Sequence, residues 1–304
     1  MIHFVAAAVL ALGAPHDAAL THKLSPRDYW GGDYVTAKSE HVTVYVSRSY
    51  PEDPKVGQQW ADFVGSLLHG PEISEVTIYL ATPEEVSTEC GGADIRGCYG
   101  QDQLVAPAED EPDISAKSVL AHEYGHHVAA HRLNDPWPAV AWGTKRWASY
   151  INVCKKAAAR QLFPGAENPL EYKFNPGEGF AEAYRLLNEQ RLNLPITPWR
   201  VVDPKLRPSA KALSLLQQDV THPWTGPTTL TRHATFGKTS RTTTRTFKIP
   251  TRLDGTLTAS VQPAAGEDLR LSTTSTTVCG TRTTTLRVTR LSGYGRFTLT
   301  VTRP

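Results

Sequence analysis

Near residue 225 the sequence changes character, and no single folding pattern accommodates both parts of it. From Gly226 onward threonine crowds the chain. Apolar and polar positions alternate there: Leu257, Ala259 and Val261 with Thr256, Thr258 and Ser260, then Phe297, Leu299 and Val301 with Thr298 and Thr300. A period of two sets one row of side chains on a core and the other in water, as half-buried antiparallel strands require, and β-branched residues favour that backbone. The same segment carries twelve Lys and Arg against three acids, in a chain whose formal net charge is only +2. The expectation is a small all-β sandwich over residues 226–304, following a larger, net acidic domain over residues 21–225.

Upstream of the seam the periods are mixed. Residues 41–47 and 75–81 read as strands, and 55–69 between them as a helix carrying Trp60, Phe63, Val64, Leu67 and Leu68. Further helices are expected over 114–131, 139–161, 178–190 and 209–219, which makes this domain α+β. A chain of 304 residues can bury one sizeable core and a second small one. With 40% hydrophobic residues, and 32 basic residues nearly balanced by 30 acidic ones, it is neither a disordered tail nor a membrane bundle. The basic surplus of the tail lacks aromatic interleaving or a recognised binding fold, so nucleic acid is not an expected partner. It points to an acidic cell-surface polymer, or to no more than a solubilising surface.

Residues 4–14 form an apolar run about half as long as the roughly 20 residues a bilayer span needs. The run reads as a secretory signal within residues 1–20, with small Ala11 and Gly13 in a cleavage-like setting, although Met1-Ile2-His3 lacks the usual Lys or Arg. A buried apolar strand or helix is the alternative. The expected mature protein is secreted and has no membrane span. Cysteine usage agrees with export: Cys90 and Cys98 bracket a Gly-containing stretch suited to a short disulfide loop, and Cys154 with Cys279 would make a second bridge. Four cysteines allow three pairings, and Cys154 also suits a plain buried thiol.

Chemistry concentrates in Val119-Leu120-Ala121-His122-Glu123-Tyr124-Gly125-His126-His127. On a helix His122 and His126 lie one turn apart on one face, spaced to hold a single Zn²⁺, and Glu123 can reach a water on that ion. Val119, Leu120 and Val128 are expected to face a core, and Gly125 to keep the approach to the metal open. A catalytic zinc needs a third protein ligand. The metzincin arrangement is excluded, because Ala129 and Arg132 stand where its Gly and His would be. His127 and His131 point away from the metal face and read as surface or supporting histidines. The third ligand is expected from Asn175-Pro176-Gly177-Glu178-Gly179-Phe180-Ala181-Glu182-Ala183-Tyr184-Arg185, a helix start with two acids one turn apart. Glu178 would bind the metal and Glu182 would accept a hydrogen bond from a ligand histidine. Two exposed acids at a helix N-terminus are the plainer alternative.

These two blocks resemble the gluzincin metallopeptidases, above all the family of the anthrax lethal factor catalytic domain and the Pro-Pro endopeptidases, over roughly residues 75–190. The resemblance implies a zincin-like metallopeptidase domain with one catalytic zinc ion on His122, His126 and Glu178, and with Glu123 as the base. It further implies a tyrosine that polarises the substrate carbonyl. Tyr172 is the matching residue, one position nearer the third ligand than in those relatives, with Tyr184 and Tyr150 as alternatives. In the tail, Leu253-Asp254-Gly255-Thr256-Leu257-Thr258, residues 266–269 and Gly293-Tyr294-Gly295-Arg296-Phe297-Thr298-Leu299 resemble the bacterial pre-peptidase C-terminal domain, a jelly-roll module of secreted peptidases. The expected function is a secreted zinc endopeptidase acting on protein or peptide substrates. A surface-binding protein with a degenerate or structural metal site, and a metal-dependent hydrolase of another bond, are the competing readings.

Overall fold

Strand β3 (His41–Ser47) buries Val42, Val44 and Val46 on one face, as its alternation requires, and a mixed sheet is built around it. The computed structural model describes residues 18–93 and 95–304. The apolar run at 4–14, with Ala11 and Gly13, lies outside the described residues. The sheet already begins at Ala18, within the last positions read as a signal. Its order is β1-β5-β6-β4-β3-β2, from β1 (Ala18–Ala19), β2 (Tyr29–Val35), β3, β4 (Thr77–Ala81), β5 (Cys98–Gly100) and β6 (Gln103–Pro107). β3, β4 and β6 run parallel, while β2 and β5 pair antiparallel to their inner neighbours. Helix α1 (Pro54–Ser66) makes the crossover from β3 to β4; Asp53 caps it on Lys55 N, and Pro54 supplies a φ already suited to a first turn. It buries Trp60, Phe63 and Val64 in the main core. Helix α2 (Pro83–Glu89) opens with a reciprocal capping box between Thr82 and Glu85.

Six more helices or helical pieces complete this domain. Helix α3 (Ala116–Ala130) packs on α7 (Pro176–Leu192), and α8 (Ala210–Thr221) closes the domain. The single helix expected over 139–161 is instead three short ones: α4 (Ala139–Trp142), α5 (Lys145–Tyr150) and α6 (Val153–Ala158). Gly143 breaks the first junction at φ 77° and Asn152 the second at φ 61°, left-handed backbone that a continuous helix does not contain. Gly143 has no room for a side chain, because a Cβ there would lie 2.4 Å from the Trp147 ring. Apolar residues on both sides of the breaks, Trp142 and Trp147 around Gly143 and Ile151 and Val153 around Asn152, kept the periodic signal continuous.

After α8 the chain is all strand: β7 (Thr228–Phe236), β8 (Thr244–Thr251), β9 (Gly255–Gln262), β10 (Asp268–Leu271), β11 (Ser275–Val278), β12 (Arg282–Ser292) and β13 (Gly295–Arg303). They form two antiparallel sheets, β10-β12-β8 and β11-β9-β13-β7, which share one core of Phe236, Ile249, Leu257, Val278, Leu286, Val288, Phe297, Leu299 and Val301. Alternation set the inward positions here, with Leu257 and Ala259 buried while Thr258 and Ser260 are exposed. Fold class is therefore α+β followed by a β-sandwich. Both disulfides are formed, Cys90–Cys98 and Cys154–Cys279, and the second ties α6 to the sandwich. At the same seam Asp254 N donates to Ser149 Oγ at 2.9 Å. No helix among the described residues is long and apolar enough to cross a membrane.

Candidate metal centre

Two buried helices carry the site. Ser115 caps α3, its hydroxyl accepting from Ser118 N, and all of α3 except Lys117 and Ala130 is buried. Asn175 caps α7 on Gly177 N, with Pro176 at the first helical position, as the Asn-Pro-Gly-Glu start predicted. Gly125 has a different task from the one expected of it. A Cβ there would lie 2.9 Å from Ala181 Cα and 3.2 Å from Tyr184 Cβ, so Gly125 is where α3 and α7 meet and not a gap before the metal.

At that crossing the expected residues converge. Glu178 Oε2 lies 3.3 Å from His122 Nε2 and 3.3 Å from His126 Nε2, and Tyr172 Oη donates to the same oxygen at 2.8 Å. Glu182 Oε2 is 3.2 Å from His122 Nδ1. Exposure of Glu178 and Glu182 is 6% and 1%, which removes the reading of two solvated acids. Glu123, 1% exposed, lies against Gly97, where a Cβ would come 2.8 Å from Glu123 Oε1. A cleft lined by Arg96, Ser118, Thr197 and Arg200 reaches His122 and Glu123.

Electrostatics set the protonation states. Burial pushes the Glu178 carboxyl up, but the imidazoles of His126 and His122 outweigh it and hold it well below the usual carboxylate range. Burial likewise opposes ionisation of Glu182, and Arg185 and His122 overcome it, bringing it down to about 2. Arg185 forks onto Glu182 with Nε to Oε2 at 2.8 Å and Nη2 to Oε1 at 2.7 Å, and its Nη1 reaches Glu189 Oε2 at 2.6 Å. Glu189 also accepts from Ser118 Oγ and Thr197 N. An ionised carboxylate only accepts, so His122 Nδ1 donates to Glu182; once the ring is neutral, its Nε2 presents a lone pair to Glu178.

A lone pair aimed at a carboxylate oxygen is repulsive without a positive charge between them. A tetrahedral ion with ligand bonds of about 2.0–2.1 Å spaces its ligand atoms roughly 3.3–3.4 Å apart, and both Glu178 distances are 3.3 Å. A charge-assisted N–H···O bond would draw the atoms to about 2.7–2.9 Å. Two imidazoles and one carboxylate thus form a group that could hold a metal ion.

The other tyrosines are elsewhere. Tyr184 donates to the Leu68 carbonyl within the core, and Tyr150 is 45% exposed beside Ser209. His127 is not a surface residue, being fully buried, and it meets Asp102 together with His131. Sequence reasoning missed Arg185 and Glu189 as parts of the site. Their spacing from Glu182, three and seven residues on, puts all three on one side of α7 and was the available signal. No protein-family model matches the chain, and no curated protein or solved structure matches it.

Proposed function

We propose that this chain is a secreted zinc-dependent endopeptidase of zincin-like fold, similar to the gluzincins, with its β-sandwich as an accessory module. The observation that carries the reading is the convergence of His122, His126 and Glu178 at ligand spacing, with Glu123 next to the first ligand on the helix. These three residues would hold the ion, which when bound lowers the pKa of a water towards neutrality and polarises a carbonyl. Glu123 takes the proton of the attacking water on a carboxylate oxygen and delivers it to the amide nitrogen as the C–N bond breaks. Tyr172 Oη, within the same cluster, offers its hydrogen to the oxyanion developing on the former carbonyl oxygen. Glu182 keeps His122 in the tautomer whose Nε2 would bring its lone pair to the ion, and Arg185 keeps Glu182 charged.

Three protein donors in this cluster, among the described residues, favour a catalytic site over a closed structural one, which takes four. That supports the peptidase reading over a surface-binding protein with a structural ion. Two disulfides agree with an oxidising compartment, and exposed arginines such as Arg245, Arg270, Arg282 and Arg287 suit an acidic polymer at the cell surface. The test is zinc stoichiometry with peptide-library cleavage for the wild type and Glu123→Gln. The variant is expected to keep its zinc and to lose turnover by about 10²–10⁴-fold or more. Equal cleavage by both proteins removes Glu123 from the mechanism, and a zinc-loaded wild type that cleaves no peptide overturns the peptidase reading.

A further inference from the structure

Helix α3 with its C-cap residue carries two histidine pairs at a spacing of four, His122 with His126 and His127 with His131. The second pair starts five residues after the first, which turns it well away from the face directed at Glu178. Opposite it stands Asp102, from the turn between β5 and β6. Asp102 Oδ1 lies 2.9 Å from His131 Nε2, 3.5 Å from His127 Nδ1 and 3.0 Å from Tyr99 Oη. Glu75 adds a further carboxylate, 3.9 Å from His131 Nδ1.

The tautomer of His127 is fixed by its far side. Its Nε2 lies 2.8 Å from the Glu72 carbonyl oxygen, which only accepts, so Nε2 carries the hydrogen and Nδ1 the lone pair. That lone pair faces Asp102 Oδ1, and the Tyr99 hydroxyl beside it lies nearer the carboxylate, 3.0 against 3.4 Å. Carboxylate is the stronger acceptor and takes the Tyr99 hydrogen. A nitrogen lone pair and an anionic oxygen are left confronting each other, as between His122 and Glu178, while the 2.9 Å contact of His131 Nε2 is a hydrogen bond donated to Asp102 Oδ1, which a bound ion would replace. The outward hydrogen bond to a backbone carbonyl is the support a metal-bound imidazole has.

The backbone presents Asp102 at some cost. Gln101 and Asp102 both take left-handed φ, 51° and 60°, in a two-residue hairpin turn where Asn, Asp and Gly are the usual residues, so the cost falls on Gln101. His127 and His131 lie at the C-terminal end of α3, where the helix dipole favours a cation. We infer that Asp102, His127 and His131 bind a second transition-metal ion of the zinc class, which clamps the β5–β6 turn to the end of α3. Two imidazoles and a carboxylate select Zn²⁺, Co²⁺ or Ni²⁺ over Ca²⁺ and Mg²⁺. The half-exposed Asp102 leaves one side for water to complete the coordination. Tyr99 joins the two sites, its ring stacked on His126 at 6.5 Å and set edgewise to His127 at 5.6 Å. This inference stands on its own residues and does not need the peptidase reading.

The experiment is a zinc titration of the metal-free full chain, with bound metal counted by equilibrium dialysis and elemental analysis. The wild type is expected to take two equivalents, Asp102→Asn and His131→Gln one each, His126→Gln one, and the His126→Gln/His131→Gln double variant none. The equivalent each single variant retains shows that it has folded. Saturation of the wild type at one equivalent that His126→Gln abolishes, or two equivalents still bound by Asp102→Asn and His131→Gln, overturns the assignment. Loss of all metal from both of those single variants, when the wild type binds two equivalents, overturns it too, because the ion would then not be a separate one. If His126→Gln keeps its equivalent while Glu123→Gln cleaves like the wild type, the peptidase reading fails and this one survives.

Discussion

Replacing Arg185 by Met tests whether the charges inside α7 organise the metal centre. Arg185 is 1% exposed, as are Glu182 and Glu189, and it is the cation that joins them through three bonds of 2.6–2.8 Å. Taking it away leaves two buried carboxylates facing each other. Breaking a buried pair from one side costs about 3–5 kcal/mol. An independent figure agrees: if Glu182 returned from about 2 to its ordinary 4.5, the shift at about 1.4 kcal/mol per pH unit would be worth about 3 kcal/mol. That figure is the net of burial, which opposes ionisation of Glu182, and of Arg185 and His122, which together outweigh it. Arg185→Met should therefore lower the urea unfolding free energy by about 3–5 kcal/mol and, with His122 no longer held firmly, weaken zinc by about 10–100-fold in a chelator competition. Arg185→Lys should fall between, since one ammonium cannot fork onto Glu182 and also reach Glu189. A methionine variant within about 1 kcal/mol of the wild type, with unchanged zinc competition, would refute the reasoning.

Tyr172→Phe should keep zinc and lose about 10²–10³-fold in kcat, measured on a cleaved peptide, if its hydroxyl meets the oxyanion; an unchanged kcat moves that role elsewhere. Glu72→Gln breaks a buried two-bond pair with Arg132 and should cost about 3–5 kcal/mol at neutral pH. Burial raises the Glu72 carboxyl, but Arg132 outweighs it and the net shift is downward, so the carboxylate stabilises the fold above the ordinary range and that contribution is lost as pH falls through the lowered value. The penalty of Glu72→Gln should accordingly shrink in acid, followed by urea midpoints from neutral pH downward. Removing Cys154–Cys279, which closes 125 residues, should lower stability more than removing Cys90–Cys98, which closes 8; loop entropy gives about 5 against about 2.5 kcal/mol as upper values, and thermal unfolding of the two paired-alanine variants measures the order.

Much of this architecture was legible because its signals are local. The period of two in β9 and β13, the apolar stripe of α1 and the proline-led cap of α7 each need only a few consecutive residues. His122, His126 and Glu178 were legible for a related reason, since each helix supplies a motif complete in itself. What escaped detection depends on contacts between distant parts of the chain. Ser118 and Glu189 are 71 positions apart, and Asp102 and His131 are 29 apart, yet each pair touches. A periodic reading also assigns Arg185 and Glu189 to water, because charged residues are almost never buried unless paired, and the pairing is what one sequence does not display. The break of 139–161 into α4, α5 and α6 was hidden for the opposite reason: its apolar pattern persists across Gly143 and Asn152.

The contact at Gly125 has a further consequence. The spacing of α3 and α7 at that point is set by a hydrogen atom resting on Ala181, and the donor atoms on the two helices inherit it. A methyl group there would part the helices by a few tenths of an ångström and widen the bite between the imidazoles and Glu178. Which size of ion the centre accepts would then be gauged at a residue that never touches the ion, so a change of metal preference can arise with every ligand unchanged.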